Sequence, residues 1–292
     1  MTFVIAGGTG TVGSKVTRQL LAQGQQVRVL TRDAGRAAEL LGRPDGLELF
    51  QIDFSDPSRL AGGFQAGDRV YVGLGGSMTQ VQDESALIDA AARAGAEYLV
   101  RLSCNGVDTS TKNVILDGHR AVEGHLAGAG IASTLVRPST FIDAIIRIAS
   151  QFIPQDVWGG NDGGGTCTFI DTRDVAEFFA LLLTQGPEAH AGRVYTLTGP
   201  EAVTMSQVAQ LVSAATGREV VRHERTEAES ESFLNGLGLP ALQVAVLLGL
   251  DQFVREGTMS EVHDATAALL GKPARTAAAY ISENASLLHP AS

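Results

Sequence analysis

The 292 residues include 44% hydrophobic and 18% charged side chains, the latter below the roughly 25% of an ordinary globular chain, and this balance excludes intrinsic disorder. The 22 basic against 32 acidic residues leave a net charge of −10 and a pI near 5.1, which argues against a nucleic-acid partner or attachment to an anionic bilayer. The longest apolar stretches, such as Ala241 to Leu250, are interrupted by Gln243 and Gly249 and fall short of the about eighteen residues that a spanning helix needs.

The first half alternates β-branched runs with helical patterns at intervals of roughly thirty residues, the signature of right-handed βαβ units around a parallel sheet. Strands are predicted at Phe3 to Ala6, Gln26 to Thr31, Leu47 to Ile52, Arg69 to Val72, Tyr98 to Leu102 and Ala132 to Val136. Helices are predicted at Val12 to Gln23, Gly35 to Leu41, Pro57 to Phe64, Thr79 to Ala94, His119 to Ala129 and Thr140 to Ser150. Six strands with helices on both faces make an α/β fold, a Rossmann-type doubly wound parallel sheet. After Pro154 the pattern loosens into Trp158 and the glycine-rich run Gly159 to Gly165, read as a boundary or mobile loop with the character of a lid. Beyond it come a strand at Cys167 to Ile170, a helix from Arg173 and a strand at Val194 to Leu197. A helix then runs from Met205 to Thr216, started by Thr204 and stopped by Gly217, and the remainder is mostly helical. The expected division is residues 1–153 as the Rossmann domain and residues 154–292 as a smaller helical domain, with packing of segment 166–198 back onto the sheet as an alternative.

Gly7-Gly8-Thr9-Gly10-Thr11-Val12-Gly13 follows the first strand directly and opens the first helix. In that context Gly7 serves the sharp turn, Gly10 the approach of backbone to a pyrophosphate, and Gly13 the packing of helix on strand. The free N–H groups and the positive end of the helix then hold the anion, a field worth about 0.3–2 kcal/mol. The second strand ends in Thr31-Arg32-Asp33, where the first long polar side chain is a cation. A guanidinium there grips a 2′-phosphate, and a charge-assisted bond of about 1.5–3 kcal/mol favours NADP(H) over NAD(H) by roughly ten- to a hundredfold. Asp33 leaves a ribose contact, and so NAD(H), open. Asp53 and Phe54 stand where an acid meets the adenine amino group and an apolar neighbour walls the ring, unless Asp53 simply caps the following helix.

Cys104 and Cys167 have no His or Cys at metal-ligand spacing and read as buried free thiols, so no metal is expected. The chain opens into Phe3 to Ala6 without the charged start and longer apolar stretch of a signal peptide, and the expected compartment is the cytoplasm.

These motifs together resemble the NmrA-like branch of the atypical short-chain dehydrogenase/reductase superfamily. The likeness rests on the glycine turn, Val27 to Arg32, Asp53-Phe54-Ser55-Asp56, Leu87 to Ala91, His119 to Glu123, Leu135 to Pro138, Phe169 to Ala176 and Tyr195 to Pro200. It implies an NAD(P)-binding domain with a smaller domain covering the nicotinamide end. Members are quinone, dye and natural-product reductases, while others bind the cofactor without turnover and act as redox-sensing regulators through a protein partner.

Classical and extended relatives use a Tyr and a Lys four positions apart, the phenol as proton donor. Aligning Glu123 places His119 at the Lys position and Ile115 at the Tyr position, so the standard acid is missing. Reducing an ordinary ketone builds a basic alkoxide that wants a placed donor, worth about a hundred- to ten-thousandfold in rate, whereas quinones, enones and iminium cations give weakly basic or neutral products. The expected reaction is therefore NADPH-dependent hydride transfer to such a small-molecule acceptor by a monomer or homodimer, with the regulator as the alternative. Ser103, Asn105 and His119 are the candidate catalytic residues, the imidazole titrating near neutrality, with Asn113 and Asp117 as weaker candidates for orienting it. The remaining histidines, His125, His190, His223, His263 and His289, show no cluster and read as surface residues. Gly73, Leu74, Gly75 and Gly76 allow close approach to the ribose and nicotinamide, with Pro138 and Phe141 nearby, and Ser77, Phe141 and Trp158 are the candidate acceptor-lining residues.

Overall fold

The structure, a computed structural model, describes residues 1–54, 56–75, 77–110, 113–153 and 156–288. Ser55, Gly76, Pro154 and His289, named above, lie outside the described residues. In chain order the first elements are β1 (Phe3–Ala6), α1 (Gly13–Ala22), β2 (Val27–Thr31), α2 (Ala34–Leu41), β3 (Leu47–Gln51), α3 (Pro57–Ala61) and β4 (Arg69–Val72). There follow α4 (Gln80–Arg93), β5 (Tyr98–Leu102), α5 (Val114–Gly128), β6 (Ser133–Pro138), β7 (Thr140–Phe141), α6 (Ile142–Phe152), β8 (Gly159–Gly160), β9 (Thr166–Ile170) and α7 (Thr172–Gln185). The chain continues through α8 (Pro187–His190), β10 (Val194–Leu197), β11 (Ala202–Thr204), α9 (Met205–Thr216) and β12 (His223–Glu224). It closes with α10 (Glu227–Gly236), α11 (Ala241–Arg255), α12 (Ala265–Leu270), α13 (Ala277–Glu283) and a 3₁₀ turn at Ala285–Leu288.

Two compact units divide the chain. The first comprises Met1–Val107, Gly118–Arg137 and Thr172–Tyr195. Its sheet has the order β10-β6-β5-β4-β1-β2-β3, with parallel pairing from β3 through to β6. The six expected strands are all present. A seventh, β10, adds to the edge, where Gly192 N–H donates to Ser133 O at 2.7 Å and Leu135 N–H to Arg193 O at 3.0 Å.

The strands read as continuous apolar runs because both faces are covered. On one face Val4, Ala6, Val70, Val72 and Leu99 form one cluster with Leu60 and Phe64, Leu87 and Ile88, and Val122 and Leu126. On the other, α1 packs on α7, and α7 on β4 and β5. There the Tyr71 ring meets Phe179 edge-on at 4.9 Å. Strand order reverses between β1 and β4, so the carboxyl ends of these neighbours open the crevice in which doubly wound sheets bind ligands.

The second unit comprises Asp108–Asp117, Pro138–Asp171 and Thr196 onward. It holds a three-stranded sheet in the order β11-β9-β7, a short pair β12-β8, and packed helices that include α6, α9, α10, α11 and α13. The glycine-rich run is not the expected lid. Gly159 and Gly160 pair with His223 and Glu224, Gly163 and Gly164 take positive φ, and at three of the five glycines of the run neighbours leave no room for a Cβ. One on Gly159 would overlap His223 O, one on Gly160 the Asp251 carboxylate, and one on Gly165 Val254 O.

Two helices begin elsewhere than predicted. The helix expected from His119 starts a turn earlier, because Asn113 Oδ1 accepts from Ile115 N–H at 2.8 Å and Asn113 O from Asp117 N–H at 2.9 Å, as an N-cap does. Thr140 and Phe141, expected to open a helix, instead pair in parallel with Phe169 and Ile170, and α6 begins at Ile142. Helix α9 is bounded as read, with a full capping box between Thr204 and Gln207 and Gly217 in the left-handed conformation. Thr204→Ala is expected to lower stability by about 1 kcal/mol with an unchanged urea m-value, read from the denaturation midpoint.

Candidate functional site

At the carboxyl end of β1 the backbone turns at Gly7, whose φ of 98° is closed to other residues without strain. Gly10 N–H donates to Gly7 O at 2.9 Å and Ser14 N–H to Gly10 O at 3.0 Å, so the turn runs directly into α1. A Cβ on Gly7 would overlap the Gly73 carbonyl, and one on Gly13 would overlap Gly7 O. Gly13 therefore lets the start of α1 lie against the backbone that leaves β1. Gly8, absent from the sequence-derived site, is also confined: its Cβ would lie 2.7 Å from a Val29 methyl. A Cβ on Gly10 would lie 3.2 Å from Gly7 O, a tight contact with backbone. Thr9, Gly10 and Thr11 are exposed and Val12 is buried.

The N-terminus of α1 carries no side-chain cap and no acidic residue in its first turn. Ser14 N–H is taken by Gly10 O and those of Lys15 and Val16 by Val12 O, but the N–H groups of Thr11, Val12 and Gly13 have no acceptor among the described residues, and this cradle fits a pyrophosphate.

Beyond β2, Arg32 is exposed, and among the described residues its guanidinium has no hydrogen bond or ion pair. Asp33 has a local role: its Oδ1 accepts from Arg36 N–H at 3.0 Å and caps α2. Asp53 is exposed, and at the start of α3 Asp56 Oδ1 accepts from Arg59 N–H at 3.4 Å. Phe54 packs against the core cluster of that face.

Gly73 follows β4. Its N–H donates to Ala6 O at 3.1 Å, and a Cβ there would overlap the Tyr71 hydroxyl. Leu74 N–H donates to Glu84 Oε1 at 3.2 Å, and Gly75 has open space around it. Glu84 on α4 and Arg101 on β5 are an ion pair at 2.8 Å, both with 0% side-chain exposure. Arg101 Nη2 in turn donates to His119 Nδ1 at 3.1 Å. Arg101 Nη1 and the Tyr71 hydroxyl are buried without a hydrogen-bond partner among the described residues.

Burial and the Arg101 cation push the His119 imidazole down to a pKa of about 3, so the expectation of titration near neutrality is overturned. Arg101, not Asn113 or Asp117, orients the ring. The sequence signal for it was a charged residue in the middle of the otherwise apolar strand Tyr98-Leu99-Val100-Arg101-Leu102, which demands a buried partner.

Ser103, at the end of β5, is buried, and its hydroxyl donates to Glu123 Oε1 at 2.5 Å. Arg137 grips the same carboxylate through Nε at 3.0 Å and Nη2 at 2.7 Å. Asn105 Oδ1 accepts from Gly106 N–H at 2.8 Å. Ser77 is exposed, with its hydroxyl 3.3 Å from that of Thr79. The structure thus gathers the turn, Gly73, Leu74 and His119 into one connected set within the first unit.

Pro138, Phe141 and Trp158 belong to the second unit. Pro138 ends β6 and is buried, and Phe141 stands half-buried at the start of α6. Trp158 is 4% exposed, with the Arg222 guanidinium 5.2 Å from its ring centroid. That guanidinium is tied to Asp162 and Asp251, each at 3.0 Å.

Elsewhere, His190 is not a surface residue: it is buried, with Nδ1 2.9 Å from the Tyr195 hydroxyl and Nε2 2.6 Å from Gln185 Oε1. Cys104 is a half-buried free thiol and Cys167 a fully buried one. Among the described residues no group of His, Cys, Asp and Glu is arranged to hold a metal, and no helix is long and apolar enough to cross a membrane.

Comparison with known proteins places these features in context. The sequence model of the NmrA-like family matches residues 1–269. An NAD(P)H azoreductase of Xenophilus azovorans is 29% identical over 97% of this chain and 97% of its own. Quinone oxidoreductase 2 of Escherichia coli is 26% identical over 95% of this chain and 96% of its own. A crystal structure of that oxidoreductase complexed with NADPH superposes with a TM-score of 0.88 at 25% identity, covering 97% of this chain and 99% of the other.

The depressed His119 pKa has a thermodynamic consequence. The unfolded chain takes up a proton near the ordinary 6.5, while the folded chain does so only near 3, so stability is lost as pH falls through 6.5. From pH 6.5 to pH 5 this side chain accounts for up to about 2 kcal/mol. Urea denaturation at pH 7, 6 and 5 is expected to show a flatter decline in His119→Gln than in the parent chain.

Proposed function

The chain belongs to the NmrA-like family, and from that premise we propose that it is an NADPH-dependent reductase of small, electron-poor acceptors, with quinones as the leading class. The cofactor half of the reading is supported by the uncapped start of α1, the exposed Gly10, and Arg32, which is without a partner among the described residues. Thr9 to Gly13 would hold the pyrophosphate and Arg32 the 2′-phosphate. Asp53 and Phe54 would meet the adenine, and Gly73 to Gly75 with His119 the nicotinamide riboside. When bound, the reduced nicotinamide supplies hydride to the acceptor.

The acceptor half rests on one observation: the candidate polar residues near that end include no acid tuned to neutral pH. Ser103 gives its only hydroxyl hydrogen to Glu123, so toward any ligand it is an acceptor. His119 stays neutral, and Ile115 stands where the family resemblance would align a tyrosine. A neutral imidazole can stabilise a developing oxyanion by hydrogen bonding without surrendering a proton, as suits an acceptor whose reduced form is weakly basic. The printed activities of the two curated relatives, on azo and quinone compounds, agree with this chemistry.

NADPH oxidation is expected with quinones and conjugated enones, and to be at least about a hundredfold slower with simple ketones. Saturable NADPH binding without oxidation by any acceptor on the panel would instead favour a redox-sensing regulator. Arg32→Ala is expected to raise the KM for NADPH roughly ten- to a hundredfold and leave that for NADH within about twofold. Equal effects on both cofactors would remove the 2′-phosphate assignment.

A further inference from the structure

Glu84 and Arg101 are each wholly buried, and a buried ion pair contributes little net stability over a well-packed apolar pair, so its place inside the sheet asks for another account. Its connections supply one. Glu84 Oε2 accepts from Arg101, while Oε1 accepts Leu74 N–H, in the loop that follows β4, and Gln80 Nε2, each at 3.2 Å. On its far side Arg101 meets the His119 ring. We infer that the Glu84–Arg101 pair is a positioning device that locks His119 as the neutral tautomer protonated on Nε2, a standing hydrogen-bond donor for the bound nicotinamide ribose or the acceptor oxygen.

The argument is one of valence. A guanidinium has five N–H donors, no acceptor, and does not deprotonate in proteins. The nitrogen 3.1 Å from Arg101 Nη2 must therefore present a lone pair, which fixes the single ring proton of neutral imidazole on Nε2. A second ring proton would set N–H against N–H and cation against cation. Glu84 holds the guanidinium in the orientation that makes this so. Other charges near the ring are already matched: Glu123, one turn along α5, is held by Arg137 and Ser103. Among the described residues Nε2 itself has no hydrogen-bond partner, so its proton remains to be given. That the proton goes to a ligand of the reductase rests on the function proposed above; the tautomer does not.

The two can be tested apart. In ¹⁵N-histidine NMR of the full chain, with the His119 signals identified by their loss in His119→Gln, the expected pattern is protonated Nε2 and bare Nδ1, unchanged from pH 8 to pH 5. A proton on Nδ1, or titration between pH 5 and pH 8, overturns the inference with no mutant needed. In the paired replacement Glu84→Gln with Arg101→Met, which leaves no lone buried charge, the His119 proton is expected to be shared between Nδ1 and Nε2, and the pKa to rise from about 3 while burial, the larger cause, keeps it below 6.5. Arg101→Lys, which keeps the cation, should keep the pKa low. A paired variant whose His119 proton stays wholly on Nε2 overturns the role given to the ion pair. If the spectra are as expected while His119→Gln leaves kcat and KM unchanged, the tautomer stands and the proposed use of His119 in the reductase falls.

Discussion

Gly7 and Gly73 approach closely at the point where strand order reverses: a side chain at Gly7 would strike the Gly73 carbonyl, and one at Gly73 is barred separately by the Tyr71 hydroxyl. This backbone contact links the turn that opens α1 to the loop that leads into α4. From Leu74 the chain of hydrogen bonds continues through Glu84 and Arg101 to His119. The glycine turn and the imidazole are consequently parts of one braced assembly. On the proposed function, a cofactor held by its phosphates at one end would meet at the other a ring whose orientation is already decided, leaving little reorganisation for the reaction.

Much of this was legible from residue order. Parallel strands with both faces covered announce themselves as apolar runs, and β1, β4, β5 and β10 begin and end where periodicity and β-branching put them. The glycine turn was equally plain, because spacing and context together allow few other readings. Misreadings arose where a tertiary partner decides the conformation. Thr140 and Phe141 become a strand only because Phe169 and Ile170 lie alongside, and the run from Gly159 to Gly165 looked like slack although Gly159, Gly160 and Gly165 are closely packed. Composition reports the absence of a Cβ, not the neighbour that forbids it.

The site shows the same division. Family pattern singled out His119 and Ser103 as candidates, but their hydrogen-bond partners were not legible in the sequence. The setting of the His119 ring depends on Arg101, eighteen residues away on another element, and on Glu84, thirty-five residues from His119. A lone arginine in an apolar strand says that an anion must be near; it does not say which, nor what lies on its other side. Charge burial is a sequence-visible problem with a structure-only solution.

The first unit is assembled from three separate stretches of chain, the last of which supplies α7 against α1. During synthesis, a ribosome that has released only the first 153 residues has delivered every sheet strand except β10, yet the helix that closes one face is still to come. Tyr71, wholly buried in the finished molecule with its ring against Phe179 of α7, then lacks that cover. For that interval the nascent sheet has one incompletely covered apolar face, which favours association unless elongation is prompt.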